Sequence, residues 1–240
     1  MLSQQEELKI ACLLPARNAS ALLPQYFDAV RPFCSLVIAL DDGSTDDTAS
    51  MLSVEPLVKA VITNPQRPTY LGWDDSANRQ KLLNACAPFA PKWVLWLDAD
   101  EFVPDCDVPL LINFLRTMAS PTEAYGLEVL RMIGDANHFD KNKLWVFRLF
   151  AYRPGYDLPD RKLHFEPIPL QIHRALWRRT RIRIAHLAGL TGALRRARHR
   201  KYLEADPNRL WQDSYNELLD PPGHTWALRP LPEGTSVLLD

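Results

Sequence analysis

Glycine, cysteine and long apolar runs are all scarce in this sequence. Only 9 of the 240 residues are glycine, and the 4 cysteines are scattered. No C-x-x-C pair occurs, which argues against a zinc site or a redox motif, and a disulfide framework is unnecessary at this length. The pattern fits a reducing cytosol. No apolar run reaches membrane-spanning length, so we expect no transmembrane segment.

An excess of charge of either sign is also missing. The chain has 28 Lys and Arg against 29 Asp and Glu, a balance that does not favour a nucleic-acid partner. The first ten residues, MLSQQEELKI, are polar and acidic and lack the basic start and apolar centre of a signal peptide. We therefore expect a cytoplasmic protein, with peripheral contact to the inner face of a membrane left open.

What the sequence does contain is the composition of a globular domain. Hydrophobic residues make up 47% and charged residues 24% of the chain, enough to bury a substantial core. Apolar runs predict strands over 8–14, 35–40, 57–62 and 92–97. Helical patterns between and after these runs cover 20–32 (with Ser20 as N-cap), 46–53, 76–88 and 107–119. This alternation predicts the α/β class, with a parallel sheet flanked by helices.

The second half of the chain changes character. Longer strands are predicted over 123–132 and 144–152, and a helical pattern over 191–219 is broken at Asp206-Pro207. Residues 174–201 contain ten Arg or Lys and no Asp or Glu. Residues 220–240 are rich in proline and are expected to wrap the surface.

Three polar clusters follow predicted strands: Pro15-Ala16-Arg17-Asn18, Asp41-Asp42-Gly43-Ser44 and Asp98-Ala99-Asp100. Because the carboxyl ends of parallel strands meet at one edge of a sheet, the clusters are expected to share a ligand-binding rim.

The pair Asp98 and Asp100 is the most informative of these features. Two carboxylates one residue apart at a strand end repel each other, and a divalent cation such as Mg²⁺ or Mn²⁺ would neutralise them. The alternative is a pair of solvated turn residues.

Arg17 and Arg79 are candidate diphosphate or base contacts, with surface ion pairs as their alternative. Asp41 and Asp42 are favoured for ligand contact, whereas Ser44 or Asp46 can cap the following helix.

Taken together, the segments LLPARN (13–18), ALDDGSTDDT (39–48), NRQKLL (78–83) and WVLWLDADEF (93–102) resemble the glycosyltransferases of family 2, which have the GT-A fold. The resemblance implies a Rossmann-like, mostly parallel sheet with a C-terminal acceptor-side region of strands and helices. Residues 1–122 would form the nucleotide-sugar-binding half. Residues 123–240 would form the acceptor-side half and a helical extension of the same domain.

The activity that this resemblance implies is metal-dependent, inverting transfer of a sugar, as in a hexosyltransferase. The donor would be a nucleotide-sugar, preferably a UDP-sugar, and the acceptor a saccharide, a lipid-linked molecule or another hydroxyl compound. Bacterial-type glycan or cell-surface polysaccharide biosynthesis is the implied setting. Donor contacts would come from Pro15, Ala16, Arg17, Asn18, Asp41, Asp42, Ser44, Arg79, Asp98 and Ala99. The Mn²⁺ or Mg²⁺ ligands would be Asp98, Asp100 and His186.

Further family-like segments lie downstream, at Arg148-Leu149-Phe150, His164-Phe165-Glu166 and Ile184-Ala185-His186. Glu166 is the first choice for the catalytic base, with Asp157, Asp160 and Glu101 as rivals. His186 could instead contact the diphosphate or be an ordinary buried histidine.

The basic segments have two interpretations. Arg174 to Arg183 form either a solvated strand-and-turn face or a surface that attracts an anionic acceptor. The later run is expected to form a solvated helix face, with the apolar residues packing inward. The basic residues of that run are Arg195, Arg196, Arg198, Arg200 and Lys201, and the apolar ones are Ala193, Leu194, Ala197 and Leu203.

Two rival functions remain. A haloacid-dehalogenase-type phosphatase also places D-x-D after a strand. Such enzymes have the pattern D-x-D-x-T/V, whereas this chain has Glu101-Phe102 after the second aspartate. A non-catalytic nucleotide- or cation-binding module would use the same acidic loops without turnover.

Overall fold

A computed structural model describes residues 8–140 and 144–239. Most of the segment that lacks signal-peptide features, residues 1–7, lies outside the described residues. The strands are β1 Ile10–Ala16, β2 Leu36–Asp41, β3 Val58–Thr63, β4 Trp93–Trp96, β5 Glu101–Phe102, β6 Ala124–Arg131, β7 His138–Asp140, β8 Leu144–Ala151, β9 Trp177–His186, β10 Thr225–Ala227 and β11 Leu238–Leu239. The helices are α1 Leu23–Val30, α2 Thr48–Val54, α3 Asp75–Asn84, α4 Val108–Thr117 and α5 Gly192–Ala205.

One nine-stranded sheet organises the chain, in the order β11-β9-β6-β8-β4-β1-β2-β3, with β5 beside β9. Strands β1 to β4, β6 and β9 run in one direction, while β5, β8 and β11 run in the other. The predicted α/β class with a mostly parallel sheet is therefore confirmed. Because β8 lies between β4 and β6, strands from both halves of the chain belong to the same sheet.

The central strands are buried on both faces, as their continuous apolar runs predict. Ile10 to Leu14 of β1 are fully buried. The core on one face of the sheet includes residues of α1, α2 and α4, and the core on the other includes residues of α3. Trp93 and Trp96 of β4 are both buried.

The predicted start of α1 was wrong. The helix begins at Leu23, with Pro24 in its first turn and no side-chain cap. Ser20 points elsewhere, because its hydroxyl donates to Asp46 Oδ2 at 2.7 Å. That bond ties the loop after β1 to the loop after β2, and so it helps to shape the rim rather than the helix.

The expected orientation of α5 was also wrong. Ala193, Leu194, Ala197 and Leu203, predicted to face inward, are all exposed. The helix ends at Ala205, directly before the predicted break. It does not pack on the sheet with an apolar face. Instead it presents Arg198, Lys201 and Tyr202 to a cavity, where ring stacking and charge replace apolar burial.

The last residues run along the periphery. Strand β10 pairs with β7 in a separate two-stranded sheet, and β11 pairs with the edge of β9. Among the described helices, none is both long enough and apolar enough to cross a bilayer.

Candidate active site

A cavity of about 560 Å³ opens where β1, β2 and β4 end. We call it the strand-end cavity. The predicted site residues that line it are Pro15, Ala16, Arg17, Asn18, Asp42, Arg79, Asp98, Ala99, Asp100, Glu166 and His186. Those that do not line it are Asp41, Ser44, Asp157 and Asp160. The structure therefore brings together residues from both halves of the chain.

The loop after β4 places Asp100 beside His186. Strand β5 follows the loop and pairs antiparallel with β9, which sets Glu101 opposite His186. The backbone N–H of Leu187 donates to the Asp100 carbonyl at 2.8 Å. As a result, Asp100 Oδ2 lies 3.3 Å from His186 Nε2. Short-range sequence patterns contain no trace of this contact, because it depends on the pairing of two distant segments.

Asp98 has different neighbours from Asp100. Its Oδ1 accepts a hydrogen bond from Arg79 at 2.9 Å, and its Oδ2 lies 3.8 Å from Arg148. Burial raises the pKa of Asp98, but the two guanidinium groups outweigh burial and hold it well below its usual range. Asp98 is therefore a carboxylate that is already compensated by protein cations.

Arg148 reaches the site through an irregularity in β8. Tyr125 of β6 pairs with Leu149, and the next residue, Gly126, pairs with Phe147. Arg148 is thus an extra residue without a partner on β6, and such bulges redirect side chains. Besides Asp98, it contacts the buried carboxylate of Glu101. In the sequence, Arg148 belongs only to a family-like segment and has no predicted role.

Burial also raises the pKa of Asp100, yet the nearby His186 and Arg198 lower it to about 2 overall. Nη1 of Arg198 lies 3.1 Å from each ring nitrogen of His186. Asp100 is thus ionised at neutral pH and shares its surroundings with an imidazole and a guanidinium.

The donor atoms of Asp100 and His186 fit a divalent cation. A carboxylate oxygen and an imidazole nitrogen are ligands that Mn²⁺ accepts, and Mg²⁺-type sites commonly take one or two protein carboxylates and complete the shell with water and substrate phosphates. Within residues 8–140 and 144–239 no group of three or more His, Cys, Asp or Glu side chains could hold a metal ion by itself. A cation held by Asp100 and His186 would take its remaining ligands from water or a bound molecule.

At the opposite end of the cavity, Asp42 is held by the loop after β3. Its carboxylate forms a bidentate ion pair with Arg67, and it accepts from Asn64 Nδ2 at 2.8 Å. Burial raises the pKa of Asp42, but Arg67 and Asn64 lower it overall. Arg67 lies outside the cavity lining and holds Asp42 in place, a role for which the only sequence signal was a position in a Pro-rich loop.

Arg17 anchors the same loop from β1. Its guanidinium donates to the carbonyls of Thr69, at 2.9 Å, and Arg67, and it lies 4.3 Å from the ring centre of Tyr70. Asn18 adopts a left-handed backbone with φ of 49°. Its side-chain oxygen accepts from the Thr45 N–H at 2.8 Å.

Asp41 and Ser44 support the rim from behind. Asp41 is buried, and its Oδ1 accepts from the Ser44 N–H at 3.1 Å. The Ser44 hydroxyl in turn accepts from the Asn18 N–H at 2.9 Å. These bonds join the first two strand-end loops and leave neither side chain in the cavity.

The four candidate bases differ in position. Glu166 lines the cavity and pairs with Arg174 at 2.8 Å in a solvent-exposed ion pair. Glu101 also lines it, but it is 3% exposed, contacts Arg148 and accepts from the Asp98 N–H at 3.0 Å. Asp157 and Asp160 lie outside the cavity lining.

An aromatic wall closes the side of the cavity nearest α5. Trp73 lies 6.0 Å from both Tyr70 and Tyr202, measured between ring centres. The ammonium group of Lys201 sits over the Trp73 ring at 4.2 Å. Arg198, Lys201 and Tyr202 share one face of α5, so their spacing of three to four residues was the signal that could have assigned them to the site.

No family model matches the chain. Two curated relatives, the uncharacterized proteins Rv3786c of Mycobacterium tuberculosis and Mb3815c of Mycobacterium bovis, are each 26% identical over 219 residues, covering 84% of this chain and 51% of the relative. The chain therefore spans about half the length of the curated relatives it matches.

Solved structures with a similar arrangement include S. aureus TarS 1-349, at 12% identity and a TM-score of 0.47 over 88% of this chain and 69% of that one. Another is glucosyl-3-phosphoglycerate synthase from Mycobacterium tuberculosis in complex with Mn²⁺, UDP and glucosyl-3-phosphoglycerate, at 23% identity and a TM-score of 0.34 over 52% of this chain and 44% of that one. TarS 1-349 has also been solved in complex with UDP.

Proposed function

We propose that the protein is a metal-dependent, inverting glycosyltransferase that moves a sugar from a nucleotide-sugar, preferably a UDP-sugar, to an acceptor hydroxyl. The observation that carries this proposal is the contact between Asp100 and His186 at 3.3 Å, on a rim that Arg79 and Arg148 also line. An acidic and imidazole ligand pair beside guanidinium groups suits a cation bound together with a diphosphate.

The cavity divides into a nucleoside end and a transfer end. Asp42 and Arg17 line the nucleoside end, where a base or a ribose would bind, and Arg67 holds the Asp42 carboxylate from outside the cavity lining. Asp100 and His186 lie at the transfer end. In this proposal residues 1–122 hold the donor nucleotide, while residues 123–240 supply His186, Glu166 and the acceptor side.

A cation bound by Asp100 and His186 would stabilise the negative charge that develops on the leaving diphosphate. Asp98 does not need to bind that ion, because Arg79 already compensates its charge. We therefore assign Asp98 to orienting Arg79 and Arg148 toward the donor. This role differs from the direct ligation expected from the sequence.

Glu166 is the proposed base, because it is the cavity carboxylate whose protein partner, Arg174, is the most exposed. A solvent-exposed ion pair is weak and opens at little cost. The Glu166 carboxylate can then accept the proton of the acceptor hydroxyl while that oxygen attacks the anomeric carbon. The bond to the diphosphate oxygen breaks on the opposite face, which inverts the configuration.

Nucleotide binding with and without metal tests this function. We expect UDP to bind the wild-type protein at least tenfold more tightly with Mn²⁺ than with EDTA, measured by isothermal titration calorimetry, because the ion links ligand and protein. Asp100→Ala should abolish the metal effect. Asp105→Ala, an exposed aspartate near the same loop, should keep it. Metal-independent binding in the wild type, or no UDP binding at all, would overturn the proposal.

A further inference from the structure

A second cavity, of about 600 Å³, lies beside the first and is bordered by the same face of α5. We call it the C-terminal cavity. Its walls come from the end of β6, the short turn at Leu187–Gly189, α5 and the segment 212–220. Its volume is typical of a small-molecule site. The strand-end cavity also has the volume of a small-molecule site and holds the residues proposed to contact the donor, so the second space is not needed for the donor.

The two cavities share a wall. Leu144, His164, Arg198 and Tyr202 line both of them. Arg198 also lies 3.1 Å from the ring of His186, which itself contacts Asp100. One side chain therefore separates the C-terminal cavity from the residues proposed to hold the cation. One end of a molecule bound in the C-terminal cavity would therefore lie next to the transfer end of the strand-end cavity.

The wall carries flat rings. Tyr202 and Tyr215 stack with centres 5.2 Å apart and planes 7° from parallel. The ring of His164 lies 5.1 Å from that of Tyr202, and its Nε2 lies 3.0 Å from the Tyr215 hydroxyl. His164 has a backbone φ of 54°, so a strained residue holds this ring in place.

Hydrogen-bond donors and acceptors complete the lining of the C-terminal cavity. Arg195 donates to the Gly189 carbonyl at 2.8 Å, and its other guanidinium nitrogens have no hydrogen-bond partner in the described part of the chain. Gln212 and Glu217 also line the cavity, and the Gln212 amide donates to the Glu217 carboxylate, whose second oxygen adds an acceptor. The cavity thus offers donors, acceptors and ring faces, which is the mixture that a sugar needs, since sugars have hydroxyl rims and apolar C–H faces.

We propose that the C-terminal cavity binds a saccharide, and that this saccharide is the acceptor of the transfer. The inference rests on the proposed function. The hydroxyl of the bound sugar would pass between His164 and Arg198 into the strand-end cavity. There its oxygen bonds to the anomeric carbon, the bond from that carbon to the diphosphate oxygen breaks, and the hydroxyl proton passes to Glu166, two residues beyond His164.

Saturation-transfer NMR with a panel of methyl glycosides tests the proposal. The probes are the methyl glycosides of glucose, galactose, mannose, rhamnose and N-acetylglucosamine, each added to the wild-type protein with and without UDP and Mn²⁺. We expect at least one to bind. Ala188→Trp fills the C-terminal cavity and should remove the signal. Ala193→Trp, on the exposed face of α5, is the matched control and should retain it.

A second variant keeps the proposal testable if Ala188→Trp does not fold. Arg195→Ala removes a free donor without adding bulk, and we expect it to weaken glycoside binding at least fivefold. Far-UV circular dichroism and a cooperative thermal transition report folding in every variant. Wild-type binding that survives in both folded cavity variants would overturn the proposal, as would a panel in which no glycoside binds.

The two proposals can fail separately. If a glycoside binds in the C-terminal cavity but UDP does not bind the wild type, the saccharide site stands and the transferase function falls. If UDP binds with Mn²⁺ but no glycoside signal responds to Ala188→Trp, the transferase function stands and the acceptor assignment falls.

Discussion

Asp100 and His186 come from opposite halves of the chain, yet their Oδ2 and Nε2 atoms are 3.3 Å apart. The contact exists because β5, only two residues long, pairs with the end of β9. A short antiparallel strand pairing at the sheet edge therefore brings together a carboxylate and an imidazole that neither half of the chain has alone.

The first prediction concerns His186 as a metal ligand. His186→Ala removes the imidazole, and we expect Mn²⁺ affinity in the presence of UDP to fall at least tenfold, because one protein ligand of two is lost. Electron paramagnetic resonance of free Mn²⁺ measures this directly. His224→Ala, at an exposed histidine far along the chain, should leave the affinity unchanged. Equal affinity in both variants would contradict the ligand role.

The second prediction separates the candidate bases. Glu166→Gln keeps the size and polarity of the side chain but cannot accept the proton, so sugar transfer should fall by about 10²–10⁴ with UDP affinity unchanged. Asp157→Asn and Asp160→Asn alter carboxylates outside the cavity and should change transfer less than threefold. Acceptor product measured by mass spectrometry decides the matter, and a large loss in either aspartate variant would reassign the base.

The third prediction concerns stability at Arg79. Burial lowers the pKa of this guanidinium, but Asp75 and Asp98 outweigh burial and raise the pKa above its ordinary value. Arg79→Met leaves Asp75 without its partner and Asp98 with only the more distant Arg148, and we expect a loss of about 3 kcal/mol in the free energy of unfolding. Arg31→Met breaks the exposed pair with Glu55 and should cost less than about 1 kcal/mol. Urea denaturation compares the two, and similar losses would refute the assigned importance of Arg79.

The fourth prediction is a pH dependence at Asp46. Desolvation raises the pKa of its carboxyl, but hydrogen bonds from Thr48 and Ser20 outweigh desolvation and lower the pKa to about 2. A lowered pKa in the folded state stabilises the protein above the unfolded value of about 4 and stops doing so as the pH falls through about 2.

Asp46→Asn should therefore destabilise the protein by about 1 kcal/mol at pH 7, a modest amount because the side chain is exposed. The difference from wild type should shrink between pH 4 and pH 2. Urea denaturation at pH 7, 4 and 3 measures it. A difference that stays constant over this range would show that the charge of Asp46 is not responsible.

The fifth prediction uses two glycines with similar backbones. Gly43 and Gly72 have φ of 72° and 77°, so alanine is strained at both. A Cβ at Gly43 would also lie 2.4 Å from the Pro65 carbonyl oxygen, whereas one at Gly72 would meet nothing within 4 Å.

We expect Gly43→Ala to cost about 3 kcal/mol and Gly72→Ala about 1 kcal/mol. Gly43→Ala should also weaken UDP binding, because the displaced loop carries Arg67 away from Asp42. Equal stability losses in the two variants would show that the close approach to Pro65 does not matter.

The sequence predicted the strands and the sheet class well, and the partners of polar side chains poorly. The apolar runs that form β1, β2 and β4 are long enough to be buried on both faces, so local composition was sufficient. For α5, the pattern of apolar residues indicated the wrong face, because this helix borders a cavity and not the sheet. Which partners Asp98 and Asp100 meet depends on β5, Arg79 and Arg148, and no local spacing encodes those contacts.

By itself, then, the sequence determined which segments become strands and that the loops after β1, β2 and β4 meet at one edge, since parallel strands end on the same side. Tertiary structure alone decided that Asp98 faces Arg79 and Asp100 faces His186, and that Arg198 lies between two cavities. The physical reason is range: burial follows from the apolar content of a few neighbouring residues, whereas the partner of a charged group is set by whichever distant segment the fold brings within a few ångströms.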